Sequence, residues 1–200
     1  MGGTVARATP WSPAPMTTDT VTLFFALLAI VAQLTVVAVA VVMVGGRRGD
    51  GALAMARHRL RADVGPNTLV LAAVVAAVCT SGSLYLSEVA HFPPCRLCWF
   101  QRIGMYPLVA LLGLAAWRRD QGIRLYGIVL AVLGGLISCW QLLVERFPTL
   151  EGTTCDPLNP CSIIWVEHLG YLTIPAMALS GFALIVALLA ITPPLTEEQS

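Results

Sequence analysis

The chain has 200 residues, of which 57% are hydrophobic and only 12% charged, with a formal net charge of +1. A water-soluble domain is nearer half apolar and about a quarter charged, so the deficit of charge points to lipid as solvent. No basic patch suggests a nucleic-acid partner.

Residues 1–20 are rich in Pro, Thr and Ala and read as a disordered lead, within which Met16 offers a second candidate start. Residues 21–44 form an apolar run interrupted only by Gln33 and threonines. The run is too long for a signal-peptide core and is followed by arginines, so it is expected to be a retained transmembrane helix. Residues 45–66 form a polar loop with Arg47, Arg48, Arg57, Arg59 and Arg61, in which 52–60 is a candidate surface helix.

Residues 67–89 are the second predicted span, with Tyr85 and Glu88 at its far end. Cys95-Arg96-Leu97-Cys98 follows at once, preceded by Pro93 and Pro94. Residues 99–117 are the third span, which Pro107 is expected to kink or loosen. Arg118, Arg119 and Arg124 punctuate a short loop before the fourth span, 123–144. The 145–170 loop carries Cys155 and Cys161, the fifth span is 171–191, and 192–200 is an acidic, polar tail.

The fold class expected is therefore an all-α integral membrane protein with five transmembrane helices. Eight of the twelve basic residues, all arginines, lie in the 45–66 and 118–124 segments. The positive-inside rule puts both in the cytoplasm. The N-terminus, the C-x-x-C and the 145–170 loop are then outside, with the C-terminal tail cytoplasmic, in a multi-pass protein of the cell (inner) membrane.

The cysteines carry the chemistry. Two intervening residues let Cys95 and Cys98 share the first turn of a helix, where the positive helix end is expected to stabilise a thiolate on the first sulfur. Arg102 lies four residues beyond Cys98, on the same face. An arginine inside a membrane helix needs an anionic or polar partner, and a thiolate or the oxygen of a reduced quinone would serve. The Asp156-Pro157-Leu158-Asn159-Pro160 insert favours a turn that joins Cys155 and Cys161 as an exposed, exchangeable disulfide. Two purely structural bridges and a four-cysteine zinc site are the competing readings. The latter gives Arg102 no reason to stand beside the thiols. Cys79 and Cys139, inside spans, read as small hydrophobes. His91 reads as an interfacial residue, His168 and Trp165 as membrane-surface anchors, and Glu88 as a weaker functional candidate.

Several stretches together resemble one family. They are Gly82-Ser83-Leu84-Tyr85-Leu86-Ser87-Glu88, Pro94-Cys95-Arg96-Leu97-Cys98-Trp99-Phe100-Gln101-Arg102 and Met105-Tyr106-Pro107-Leu108, followed by Pro160-Cys161-Ser162, Trp165-Val166-Glu167, Gly170-Tyr171 and Ile174-Pro175-Ala176-Met177-Ala178-Leu179. The sequence is similar to the DsbB/BdbC membrane proteins of disulfide-bond formation over residues 68–190, nearest the BdbC branch.

The resemblance implies a four-helix redox domain at 67–191 with one extra N-terminal helix. It implies a dithiol:quinone oxidoreductase that uses ubiquinone or menaquinone and reoxidises an extracytoplasmic thioredoxin-like, DsbA-type oxidase. Cys155 would be attacked by the partner's thiolate, Cys161 would relay to Cys95, and Cys98 would be left beside the quinone with Arg102 polarising its oxygen. Gln141 stands where many relatives carry a histidine and is expected to donate to the quinone. The second cysteine pair is tighter than in proteobacterial members. A vitamin K epoxide reductase-like protein is disfavoured because its C-x-x-C follows its loop cysteines. A structural scaffold and a reductive electron importer are the remaining alternatives.

Overall fold

The computed structural model describes residues 16–47, 51–152, 155–156 and 158–192. Most of the expected N-terminal lead, Arg48, Pro157 and all but the first residue of the C-terminal tail lie outside them. Six α-helices make up most of the described chain: α1 (Met16–Gly45), α2 (Ala52–Asp63), α3 (Thr68–Leu84), α4 (Arg96–Arg118), α5 (Arg124–Arg146) and α6 (Ile174–Ile191). All but α2 lie in segments long and apolar enough to cross a membrane. A two-residue antiparallel ladder, β1 (Glu167–His168) with β2 (Leu172–Thr173), precedes α6.

The apolar run undercalls α1, which begins at Met16 rather than at residue 21. Asp19 in its first turn complements the positive helix end, and the Thr22 hydroxyl bonds the Asp19 carbonyl, so polar residues extend the helix past the lipid-compatible stretch. Helix α4 runs from Arg96 to Arg118 with Pro107 inside it. Helix α3 ends in a π-turn, Tyr85–Val89, closed by the Ala90 amide on the Tyr85 carbonyl. His91 then takes a left-handed conformation (φ 57°), and Pro93-Pro94 delivers the chain to the start of α4.

Helices α3 to α6 form a bundle in which α3 packs on α4, α4 on α5, α5 on α6 and α6 on α3, while α1 lies along α6. Helix α5 shows a stripe of small buried residues, Gly127, Ala131, Gly134 and Ser138, that continues to Gln141. Small residues let membrane helices approach closely. At the crossing of α4 and α5, a Cβ on Gly104 would lie 3.3 Å from the Gly134 Cα, and the ring of Phe182 from α6 fills the hollow beside both glycines.

The two arginine segments meet at one end of the bundle. The Arg61 guanidinium donates to the Ile191 carbonyl at 3.1 Å, and Arg124 donates to the Thr192 carbonyl. Both satisfy carbonyls that a helix C-terminus leaves unpaired, and both complement its negative end. The cysteine segments and the first turns of α1 gather at the opposite end.

Candidate functional site

Cys95 is the N-cap of α4. Its backbone is extended (φ −69°, ψ 172°), and its sulfur accepts the Cys98 amide N–H at 3.3 Å. The two sulfurs face each other across the first turn, 2.7 Å apart. The hydrogen bond of Cys95 with Cys98 and the burial of Cys95 together push its thiol well above the ordinary range, over the opposing pull of the backbone N–H groups.

The loop pair is joined by a disulfide, Cys155–Cys161. It is not the exposed bridge that its turn-rich insert suggests. Cys155 is 8% exposed and Cys161 only 1%, and both pack in one apolar cluster with Cys95, Leu97 and Val144, against which Cys98 also lies. The loop is drawn down by contacts distant in sequence. The Asn159 side-chain amide donates to the Pro94 carbonyl at 3.2 Å, immediately before Cys95. Trp165, still 39% exposed, stacks on Phe92 at 5.4 Å between ring centroids and so ties the loop to the residues before α4. Glu151 accepts the Cys161 backbone N–H and the Ser162 hydroxyl, holding the second cysteine from behind. Between the cysteines, Leu158 stands 94% exposed at the tip.

Beneath the dithiol lies a pair of buried amides. The Gln141 Nε2 donates to both sulfurs, at 3.4 Å each, while its Oε1 accepts the Gln101 Nε2 at 2.7 Å. The resemblance casts Gln141 as a contact to the quinone. Instead it sits on the thiols and is absent from the walls of the neighbouring cavity, which Gln101 does line. The reason is the small-residue stripe of α5, which turns Gln141 inward against the first turn of α4. Replacing Gln141 with leucine removes both N–H···S bonds and strands the buried Gln101 amide. Such losses cost ~1–3 kcal/mol. The expected result is about ten- to a hundredfold slower exchange between the two cysteine pairs, measured by stopped-flow fluorescence.

That cavity, about 330 Å³, opens on the other side of Cys98. Its walls are mainly apolar, and Cys98, Gln101, Arg102, Tyr106 and Ser83 supply its polar atoms. Cys98 and Arg102 both line it, as their four-residue spacing predicts. The partner of Arg102 is not a thiolate in this structure. Its Nε donates to the Ser83 hydroxyl and its Nη2 to the Ser83 carbonyl, both at 3.1 Å, and its guanidinium lies 5.2 Å from the centre of the Trp99 ring. Tyr106 donates to the same hydroxyl at 3.3 Å.

Sequence reasoning missed Ser83, Gln101, Asn159 and Glu151. Each is an ordinary polar residue whose role depends on a neighbour from another helix or loop. His168, half-buried, bonds Thr22 of α1 at 3.1 Å. Glu88 is exposed, bonds Ser87 and does not line the cavity.

Comparison with known proteins follows the same segments. Residues 65–192 match the family model described as Disulfide bond formation protein DsbB. The chain is 42% identical to Disulfide bond formation protein C of Bacillus subtilis over 114 residues, 56% of this chain and 83% of that protein. It is 40% identical to a Probable disulfide formation protein of Oceanobacillus iheyensis over 124 residues, covering 61% and 86% of the two chains. A Probable disulfide formation protein of Coxiella burnetii is 42% identical over 127 residues, 60% of this chain and 86% of its own length. No solved structure gives a significant match. Helices α1 and α2 lie outside the matched segment.

Proposed function

The chain belongs to the DsbB family of disulfide bond formation proteins, and from that premise we propose that it reoxidises a secreted thioredoxin-like, DsbA-type thiol oxidase and passes the electrons to a membrane quinone. At the coarser level it is an all-helical, multi-pass membrane protein acting as a disulfide oxidoreductase in disulfide-bond formation. One observation carries the finer reading: both cysteine pairs share one buried cluster, and Cys98 leaves that cluster to line a cavity beside Arg102. The arginine segments at the opposite end support an orientation with the cysteines outside the cell, by the positive-inside rule.

The residues lining the cavity fit a quinone. The volume lies within the range of small-molecule sites, roughly 300–1,000 Å³. Apolar walls suit a flat ring. Ser83 takes two of the N–H groups of Arg102, and a guanidinium has five donors, which supports a bond from Arg102 to a quinone carbonyl. The quinone, ubiquinone or menaquinone, supplies a two-electron, two-proton acceptor.

The chain's own residues perform the exchange. The partner's thiolate attacks the Cys155 sulfur, the Cys155–Cys161 bond breaks, and Cys161 leaves with the electron pair. Cys161 then attacks Cys95 of an oxidised Cys95–Cys98 pair, and Cys98 leaves as thiolate into the cavity. The partner's second thiolate attacks its own mixed disulfide, releasing oxidised partner and Cys155. Cys155 closes again on Cys161 and frees Cys95. Two electrons and two protons have passed from the partner to Cys95 and Cys98, which yield them to the acceptor.

Incubating the purified protein with reduced partner and ubiquinone is expected to consume one quinone per partner disulfide formed; loss of partner thiols with no loss of quinone absorbance would sink the reading. Arg102→Met is expected to lower quinone reduction about a hundredfold, the scale on which one donor to developing negative charge acts. Mixed-disulfide formation with the partner should stay at the wild-type rate.

A further inference from the structure

Helix α1 lies outside the family segment, yet Phe25, Leu28, Ala29, Val31 and Ala32 on it form part of the wall of the Cys98–Arg102 cavity. Its attachment is one-sided. The Gln33 amide donates to the Ser180 hydroxyl of α6 at 2.9 Å and accepts the Tyr171 hydroxyl at 3.1 Å, and Thr22 meets His168 just before α6. Hydrogen bonds between polar side chains are effective glue between helices in lipid. Among the described residues α1 therefore packs along α6, while it has no comparable packing on α3.

The result is a slot between α1 and α3 with apolar edges that face lipid. Leu28 is 37% and Val31 59% exposed on one edge, and Val74 is 54% and Val78 38% exposed on the other. All four also line the cavity, so the slot joins the cavity to the bilayer. At the cysteine end the slot is shut. The Phe25 ring lies on Gly82 so closely that a Cβ there would come within 2.9 Å of two ring carbons.

We propose that α1 is an added wall of the acceptor site, and that the α1–α3 slot is the lipid-side path that holds the hydrophobic tail of a prenylated quinone. This rests on the quinone reading above. The ring reaches Cys98 and Arg102, the tail lies between Val31 and Val78, and Phe25 against Gly82 keeps the site closed toward water. The slot thus selects for long-tailed acceptors.

The test uses the full chain with Val31→Trp and Val78→Trp, which add bulk at lipid-exposed edges, and Leu34→Trp, on the lipid-facing side of α1 away from the cavity, as control. Two probes are titrated by quenching of intrinsic tryptophan fluorescence, each variant being calibrated against its own unliganded signal: a long-tailed ubiquinone and a tail-less ring analogue. Quinone copurifying with each variant is also extracted and quantified. Both slot variants are expected to bind the long-tailed quinone about tenfold more weakly, a loss of ~1.4 kcal/mol, and to retain correspondingly less on purification. The tail-less ring should bind within about twofold of wild type, well inside that margin, and Leu34→Trp should leave both unchanged. Wild-type affinity for the long-tailed quinone in both slot variants overturns the slot alone. Equal loss of both probes also overturns it, since the ring site itself would then have been hit. A wild-type protein that binds neither probe overturns the quinone reading and this inference with it.

Discussion

Cys98→Ser is expected to abolish steady-state quinone reduction, by at least ~10³-fold, the scale on which removal of an enzyme's nucleophile acts. The loss follows from where the four sulfurs stand. Cys95, Cys155 and Cys161 are buried together, and Cys98 is the sulfur among them that lines the cavity. Without it Cys95 has no disulfide for Cys161 to attack, and no sulfur is left beside Arg102. The loop disulfide is untouched by the substitution. A single equivalent of partner should therefore still be oxidised, at the cost of the Cys155–Cys161 bond, before the reaction stops. Wild type should continue for as long as quinone remains. Quinone absorbance and partner thiols followed in one experiment separate the two behaviours. Cys139→Ser, at an exposed position on α5, should match wild type. Wild-type quinone reduction by Cys98→Ser would remove Cys98 from the electron path altogether.

Much of this arrangement is legible in the sequence. Five apolar runs identify the membrane helices because each must satisfy its backbone internally and bury nothing but lipid-compatible side chains. The four-residue step from Cys98 to Arg102 puts both on one wall because a helix repeats on that scale. What failed was direction and depth. The resemblance supplied Gln141 with a position but not an orientation, and the orientation is set by the small residues Gly134 and Ser138 on the stripe below it. The loop disulfide looked exposed because its prolines and polar residues describe only a turn. Its burial is decided by Asn159 on Pro94 and Trp165 on Phe92, contacts that no local pattern encodes. Helix α1 is apolar on every side, so its sequence names no packing face. The exception is Gln33, whose amide finds Ser180 and Tyr171 and so ties α1 to α6.

Cys161→Ser is the complementary case, and it separates a relay from a scaffold. Turnover should fall at least ~10³-fold, again the scale for loss of a nucleophilic sulfur, because the sulfur proposed to relay electrons to Cys95 is gone. Cys155 is left as a free thiol at the more exposed of the two loop positions, 8% against 1% for Cys161. Mixed with a partner that lacks its second cysteine and carries its remaining thiol as a mixed disulfide with thionitrobenzoate, it attacks the partner's sulfur, releases thionitrobenzoate and forms an adduct that neither a neighbouring loop thiol nor the partner can resolve. That adduct should be visible as a band of summed mass on non-reducing gels and should disappear with reductant. Cys155→Ser leaves Cys161 instead, packed under the loop with its backbone N–H and the following hydroxyl held by Glu151, and should trap far less partner. More adduct on Cys155→Ser than on Cys161→Ser would exchange the roles of the two sulfurs. Adduct on neither would leave the loop disulfide as a structural bridge. The expected asymmetry is a matter of access: the Cys155 side is 8% exposed and the Cys161 side 1%, and Glu151 holds the backbone behind Cys161.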